Sequence, residues 1–142
     1  MKVISILLIY FSCHVSLCCT CMTFPTEIDS EMVMNRDYEI FVGKIITKSV
    51  QYFGKHPYFI YTVKVKNKYT LNSTEKYVTL RTPTQGSACG FRFYVGRTYL
   101  ITVHTNSDGN GIRDTSMCLR NVIANKATEE LKLMERVIKN CL

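Results

Sequence analysis

The chain has 142 residues, seven of them cysteines, and its 18 Lys and Arg outweigh its 11 Asp and Glu for a formal net charge of +7. This length suits one domain with a single hydrophobic core and leaves no room for a second domain of ordinary size. The sequence has no HExxH motif and, from Cys19 onward, no CxxC motif, and no segment after Phe11 is long and apolar enough to span a membrane.

The first 18 residues have the pattern of a secretory signal peptide. Lys2 precedes an almost unbroken apolar run over residues 3–11, which is too short for a membrane span, and small residues follow it. Cleavage after Cys18 puts Ser16 and Cys18 at the −3 and −1 positions, where small residues are needed. We therefore predict a signal peptide over 1–18 and a secreted, extracellular protein that begins at Cys19. The alternative is a buried apolar segment in an uncut chain.

Secretion changes how the cysteines and the basic residues are interpreted. In an oxidising compartment Cys89, Cys118 and Cys141 are candidates for disulfides rather than for metal ligands. Nucleic acid is not an expected partner of a secreted protein, so the basic surface suits a sulfated polysaccharide, matrix or an acidic partner, or is simply a solvated face. The basic residues that fall in predicted strands are Lys44, Lys48, Lys64, Lys66, Lys68, Lys76 and Arg81.

Apolar, β-branched and aromatic residues form several short runs separated by Gly, Pro, Asn and Ser. These runs predict strands at residues 39–46, 58–66, 77–82 and 97–103, and a fifth strand between 112 and 119. Gly43 interrupts the first strand and indicates a bulge or a close backbone approach. The second strand has one polar and one apolar face, which is typical of a sheet with a solvated side.

Two polar links carry recognisable motifs. Asn72 begins an N-glycosylation sequon, a possible glycan site that is consistent with secretion. Residues 106–111 resemble the first half of an EF-hand loop, but the twelfth position is Met117 where a bidentate Glu is needed. We therefore predict a hairpin turn at Asp108-Gly109 or at Asn110-Gly111, and no calcium site.

The last segment changes to a helical period. Apolar residues recur there at three- and four-residue steps, with acidic residues at the start and basic residues at the end, as the helix dipole favours. The apolar positions are Leu131, Met134, Val137 or Ile138, and Cys141. An amphipathic C-terminal helix packed on the β-domain is the prediction, with partner binding as the less common use of such a stripe.

No catalytic constellation is apparent. His56 adjoins Pro57 in a predicted turn and His104 ends a predicted strand, and neither has a nucleophile motif beside it. We predict that the protein is not an enzyme and has no cofactor of its own.

Several motifs together resemble the N-terminal netrin-like domain of tissue inhibitors of metalloproteinases. They are Cys19-Thr20-Cys21 directly after the predicted signal peptide, Phe41-Val42-Gly43, Arg81-Thr82-Pro83, Ser87-Ala88-Cys89-Gly90, Tyr99-Leu100-Ile101, Asp108-Gly109 and Cys118. The resemblance spans residues 19–142. It implies a mainly β fold, a five-stranded, partly open OB-fold-like β-barrel with a C-terminal α-helix. It also implies disulfides between Cys19 and Cys89 and between Cys21 and Cys118.

The resemblance implies a secreted inhibitor of extracellular zinc metalloproteases. A catalytic zinc keeps one coordination position open, and the free α-amino nitrogen and carbonyl oxygen of Cys19 form a chelate that fits it. An N-terminal amine has a pKa of about 7.7–8.0, so a neutral fraction is present at neutral pH. Thr20 would enter the primed-side specificity pocket of the protease. The implied inhibitory contact ridge is Cys19, Thr20, Cys21, Met22, Ser87, Ala88 and Cys89.

The sequence departs from the family pattern at one cysteine. Five cysteines remain from Cys19 onward, so Cys141 has no evident partner, and the odd count predicts a free thiol or an intermolecular bond. The second, cysteine-rich domain of vertebrate members has no counterpart here. A non-inhibitory netrin-like module that binds matrix, glycosaminoglycan or a receptor is therefore the alternative function.

Overall fold

A single six-stranded sheet and a C-terminal helix dominate the fold. The computed structural model describes residues 19–21, 33, 35–70, 74–105 and 110–141, without the side chains of 138, 140 and 141. The predicted signal peptide, Met22, the sequon residue Asn72, Asp108-Gly109 and the side chain of Cys141 lie outside the described residues. The predicted hairpin turn over 106–111 is wrong, because the strand that follows it pairs with Tyr77–Pro83 and not with Thr98–His104.

The strands are β1 (Tyr38–Phe53), β2 (His56–Lys68), β3 (Tyr77–Pro83), β4 (Thr98–His104), β5 (Ile112–Asp114) and β6 (Val122–Ile123). Their order in the sheet is β5-β3-β2-β1-β4-β6. The β3–β5 pair is parallel and the other pairs are antiparallel. Short 3₁₀ turns occupy Gly86–Ala88 and Ala124–Lys126, and helix α1 spans Thr128–Cys141. The prediction of a mainly β protein with a C-terminal helix is confirmed.

Strands β1 and β2 extend beyond their predicted ends into a long hairpin. Phe53 pairs with His56 across a two-residue turn, in which Gly54 has a φ of +64°. From Ile46 to Phe53 the side chains of β1 are exposed, so this stretch pairs through its backbone without burying a face. The alternation used to predict strands depends on burial, and it therefore stopped at Ile46.

Gly43 lies at a break in strand register and also at a close approach to a neighbouring strand, the two alternatives that the sequence predicts for it. The β1–β2 register shifts between Val42 and Gly43 and again between Ile45 and Thr47. A Cβ atom at residue 43 would overlap a methyl group of Val63. The second shift moves Lys48 onto the same face as buried Ile45, where its ammonium nitrogen lies 3.8 Å from the centre of the Phe59 ring.

Two apolar clusters lie on opposite faces of the sheet. The larger one fills the concave face and includes Phe41, Ile45, Tyr61, Val63, Val78, Leu80, Phe93, Tyr99, Ile101 and Val103. Burial raises the pKa of the Tyr61 phenol within this cluster. The smaller one joins Ile40, Val42 and Leu100 to Met134 of α1. Because both faces of β1 are covered at this level, Ile40, Phe41 and Val42 are buried in succession.

Helix α1 packs on the sheet through the predicted stripe. Met134 is fully buried, and Leu131 and Val137 pack against the same cluster. Burying a side chain of this size stabilises the fold by about 1.5–3 kcal/mol. Among the described residues, no helix is long and apolar enough to cross a bilayer.

The sheet is not closed into a barrel, and it has one strand more than the predicted five, because β6 pairs with β4. Side chains bridge β4 and the residues after β5. The hydroxyl of Thr115 donates to the carbonyl oxygen of Thr102 at 2.8 Å, and the Thr102 amide donates to Asn121 Oδ1 at 3.1 Å. Asn121 Nδ2 donates to Thr115 Oγ1 at 2.9 Å, so these side chains occupy backbone groups that a neighbouring strand would otherwise pair.

A buried ion pair also ties β5 to β1. Arg113 Nε lies 2.6 Å from Glu39 Oε2, and both side chains are 8% exposed. Glu75 Oε2 lies 3.3 Å from Arg113 Nη1. The sheet therefore curls far enough to bring its β5 edge beside β1 and β4. Side-chain contacts, and not a closed ladder of backbone hydrogen bonds, hold this edge in place.

Replacing Thr115 by Val tests the side-chain bridge. Thr115→Val keeps the shape but removes the bond to Thr102 and one of the acceptors of Asn121 Nδ2, so the free energy of unfolding should fall by about 1–3 kcal/mol. Urea denaturation measures this as a lower midpoint at unchanged slope. The matched control is Thr79→Val on β3, where the hydroxyl makes no hydrogen bond to a described residue, and it should change stability by less than about 0.5 kcal/mol. Equal effects at both positions would contradict the bridge.

Candidate functional site

Three separate segments meet at one corner of the molecule. Residues 19–21 are joined to the turn at 86–90 by a disulfide between Cys19 and Cys89, with the Cα atoms 4.9 Å apart. They are joined to the turn at 116–118 by a disulfide between Cys21 and Cys118, with the Cα atoms 5.4 Å apart. These are the two pairs that the resemblance implies, and Thr20 is the single residue of the chain between the two crosslinked cysteines.

The turn at 86–90 presents Cys89 in an unusual backbone conformation. Cys89 has a φ of +61°, the only non-glycine residue with positive φ in the described part of the chain. Its amide donates to Gly86 O at 3.0 Å and the Gly90 amide donates to Gln85 O at 3.1 Å, the hydrogen-bond pattern that ends a helix at a left-handed residue. This conformation costs a residue other than glycine about 1–2 kcal/mol, which the disulfide and the turn hydrogen bonds offset.

The turn is attached to the sheet and to the second turn by backbone groups. The amide of Phe91 donates to the hydroxyl of fully buried Thr82 at 2.9 Å, which holds the exit of the turn against β3. The amide of Met117 donates to Cys89 O at 2.8 Å, which joins the two cysteine-bearing turns. Both anchor points of residues 19–21 therefore belong to one rigid unit.

The two disulfides are in contact with each other. Cys118 Sγ lies 3.6 Å from Cys19 Sγ and 3.7 Å from Cys89 Sγ. The sulfurs of Cys19, Cys21 and Cys118 lie within 4.8 Å of one another, a spacing that thiolates could use for a metal ion. All three sulfurs are in disulfides and have no thiolate to offer, so the cluster is a pair of crosslinks.

The predicted contact ridge exposes small side chains. Thr20, Ser87 and Ala88 are exposed, whereas the four cysteines are half-buried. Thr20 follows the Cys19–Cys89 bond along the chain and Ala88 precedes it, so exposed residues flank the same disulfide from both sides. The structure thus brings together every described residue of the predicted contact ridge. Met22 lies outside the described residues.

The tip of the β1–β2 hairpin reaches the same corner, which the sequence did not predict. A cavity of about 140 Å³ beside the ridge residue Ala88 is lined by Lys55, His56, Pro57, Tyr58, Pro83 and Gln85. Both the amide and the hydroxyl of Thr84 donate to Pro57 O at 3.3 Å. Nothing in the sequence signals this neighbourhood, because it depends on the length of the hairpin and on the β2–β3 register.

The predicted basic surface divides between several environments. Lys44 and Lys64 lie directly opposite each other on β1 and β2 and are exposed. Lys48 lies on the concave face over Phe59. Arg81 pairs with both carboxylate oxygens of Asp114, at 2.6 and 2.7 Å. Exposed basic residues near the first pair are Lys66, Lys68 and Lys76.

Comparison with known proteins identifies no relative of this chain. No protein-family model matches the chain, and no curated protein matches it. A function for the corner is therefore proposed from its geometry, its chemistry and the resemblance carried by its sequence motifs.

Substitutions at two glycines of the 86–90 turn test its packing. A methyl group at Gly90 would overlap the carbonyl oxygen of Pro83, so backbone must shift, and Gly90→Ala should lower the free energy of unfolding by about 1–3 kcal/mol. The control Gly86→Ala adds the same methyl group where no atom lies within 4 Å and should be close to neutral. Urea denaturation with the disulfides intact measures both, and a neutral Gly90→Ala would contradict the close approach.

Proposed function

We propose that this protein is a secreted inhibitor of extracellular zinc metalloproteases that acts through the corner formed by residues 19–21 and 87–89. The observation that carries the proposal is the pair of disulfides on either side of Thr20, which pins an exposed segment beside exposed Ser87 and Ala88. Removal of residues 1–18 is part of the proposal, since only the first residue of a chain has a free α-amine. The protein has no catalytic role and no cofactor of its own here.

The chemistry of the first residue suits an open zinc position. The zinc of a metalloprotease binds a water molecule at its fourth site, and a neutral amine together with the carbonyl oxygen of the same residue replaces that water. The amine has an ordinary pKa of about 7.7–8.0, and zinc competes with the proton for the same lone pair at neutral pH. Cys19 would be that residue, and the zinc would belong to the target protease.

Preorganisation favours tight binding and resists cleavage. Ordering a flexible residue costs about 1–2 kcal/mol of backbone entropy, and residues 19–21 are already ordered by their crosslinks. A segment held at both ends also cannot move along the protease cleft as a substrate would. The protease would therefore bind the segment without turning it over.

The neighbours of Cys19 would set which protease is inhibited. Thr20 projects between the crosslinks and is the residue that we assign to the primed-side specificity pocket. Ser87 and Ala88 would cover the unprimed side. Side chains of residues after β5 join that end of the sheet to β4, in place of a closed ladder. A sheet curled in this way supports a partly open barrel of the netrin-like type. The disulfides suit an extracellular location.

Extending the N-terminus by one alanine tests the chelate. Protein that starts at Cys19 and protein that starts with an alanine before Cys19 are both prepared from a fusion cut at that junction, and mass spectrometry verifies each terminus. The extended form keeps its disulfides but moves the amine off Cys19, so its inhibition of a panel of zinc metalloproteases should be at least about 100-fold weaker, or about 2.7 kcal/mol. Its thermal midpoint should stay nearly unchanged.

Thr20→Gly is the companion variant, because it keeps the amine and removes only the side chain. Affinity should weaken without unfolding, and the order of preference among the proteases should change. Equal inhibition by the extended and native termini would refute the chelate, and unchanged affinity of Thr20→Gly toward every protease would refute the pocket assignment.

A second candidate function rests on the Lys44–Lys64 pair. Like charges directly opposite each other across two strands are destabilising, so a bound polyanion that neutralises them is favoured. Thr98 pairs with Lys44 and Tyr77 with Lys64, which extends the row across four strands with hydroxyl-bearing residues. A sulfated polysaccharide suits this row, and the protein would then act as a matrix-binding module.

Heparin binding tests the second candidate with a charge-matched pair of variants. Lys44→Gln with Lys64→Gln should lower the salt concentration needed for elution from heparin and should not lower the thermal midpoint, because mutual repulsion is removed. Lys126→Gln with Lys139→Gln removes the same charge from exposed positions at and near α1 and should elute nearly as the unmodified protein does. Equal losses for both variants would indicate net charge alone and would contradict a specific row.

A further inference from the structure

The two crosslinks of the corner contact each other through one shared sulfur. Cys118 Sγ is bonded to Cys21, and it also lies 3.6 Å from Cys19 Sγ and 3.7 Å from Cys89 Sγ. Thiol–disulfide exchange proceeds by attack of a thiolate on a disulfide sulfur. Whichever sulfur of the Cys19–Cys89 bridge becomes a thiolate is therefore already next to a sulfur of the other bridge.

We infer that the four cysteines form one exchange unit. A small thiol opens the Cys19–Cys89 bridge, the freed cysteine forms a new bond to Cys118, and Cys21 is released from Cys118. All four cysteines are half-buried and none belongs to an apolar cluster of the described residues, so the exchange unit lies at the surface, where a small thiolate arrives from solvent. Because Cys118 is the sulfur that both attackers contact, Cys21 is the leaving group in each case.

The main route conserves atoms and electrons. An external thiolate attacks Cys19 Sγ, forms a mixed disulfide and expels Cys89 as a thiolate. Cys89 attacks Cys118, a Cys89–Cys118 bond forms and the Cys21–Cys118 bond breaks. The Cys21 thiolate then attacks Cys19 Sγ in the mixed disulfide, which forms a Cys19–Cys21 bond and returns the external thiolate. Two protein disulfides exist before and after, so the thiol is a catalyst and no oxidant is consumed.

Attack of the external thiolate on Cys89 gives the second route. Cys19 then leaves, attacks Cys118 at 3.6 Å and expels Cys21, which in turn displaces the external thiol from Cys89. The products are Cys19–Cys118 and Cys21–Cys89 bonds. This route keeps residues 19–21 attached, whereas the main route releases them.

The main route would switch off the corner without unfolding the domain. The new Cys89–Cys118 bond joins the two turns, in addition to the Met117–Cys89 backbone hydrogen bond, while residues 19–21 lose both anchors. No cysteine belongs to either apolar cluster of the described residues, so the core is not affected. The consequence for inhibition rests on the proposed function, but the exchange itself does not.

Peptide mapping detects the exchange directly. Tryptic peptide 19–36 carries Cys19 and Cys21, peptide 82–92 carries Cys89, and peptide 114–120 carries Cys118. The native pairing therefore links all three peptides in one species. Opening one native bridge leaves 19–36 linked to one of the others. Only the main route links 82–92 to 114–120 without 19–36. The second route keeps three peptides linked and is recognised by fragmentation between Cys19 and Cys21.

The experiment uses the chain from Cys19 onward with Cys141→Ser, so that only the four cysteines of the cluster remain. Folded protein and protein in urea are treated with limiting reduced glutathione, quenched with acid, alkylated at low pH and mapped. Sulfurs held in contact exchange at a higher effective concentration than sulfurs on a flexible chain. Among opened molecules, the ratio of exchanged to merely opened species should be at least ten-fold higher in the folded sample. Far-UV circular dichroism should stay native.

A one-bridge variant controls the exchange experiment, and a separate inhibition assay distinguishes the exchange from the proposed function. The variant Cys21→Ser with Cys118→Ser leaves one bridge and should give only opened molecules. Folded protein that yields only opened species, or the same ratio as in urea, would overturn the exchange unit. Protease inhibition is measured separately on undigested protein that has been purified with the Cys89–Cys118 and Cys19–Cys21 bonds. Loss of inhibition there supports the switch, and full inhibition by that species would count against the proposed function while leaving the exchange intact.

Discussion

The corner depends on two covalent bonds placed one residue apart. Residues 19–21 form no regular secondary structure, and their position is set by crosslinks to Cys89 and Cys118. The crosslinks span 70 and 97 residues of sequence. By lowering the entropy of the unfolded chain, each raises the free energy of the unfolded state by about 4–5 kcal/mol. The same bonds therefore stabilise the domain and hold an exposed Thr20 still.

The rest of the structure makes the two anchors rigid. Buried Thr82 and the close packing at Gly90 fix the first turn against β3, and the Met117–Cys89 hydrogen bond fixes the second turn to the first. Behind them, Thr115 and Asn121 join β4 to the chain after β5, and Arg113 joins β5 to Glu39 of β1. Motion of either turn would thus disturb backbone groups that are paired deep in the sheet.

The functions proposed for this protein occupy different surfaces. Zinc binding would use the amine and carbonyl of Cys19, and the polyanion row would use Lys44 and Lys64 on the solvated face of β1 and β2. The proposed thiol exchange would use the same corner as the proposed inhibition, because the sulfurs that anchor residues 19–21 are also the sulfurs in mutual contact. A polyanion would leave the corner accessible, whereas a thiol would act on the corner itself.

The sequence by itself determined the features that depend on local pattern. Short β-branched and aromatic runs predicted the first four strands, the helical stripe with Met134 predicted α1, and Gly43 marked a bulge or a close approach. The resemblance carried by Cys19-Thr20-Cys21, Cys89 and Cys118 implied the disulfide pairs that the structure contains.

Only the tertiary structure decided how far β1 and β2 extend, which face Lys48 occupies, and how side chains bridge β4 and the chain after β5. Only it decided that the two disulfides touch through Cys118. Alternation reports burial along one strand, whereas register shifts, sheet curvature and sulfur contacts arise between residues far apart in the chain, so no local pattern records them.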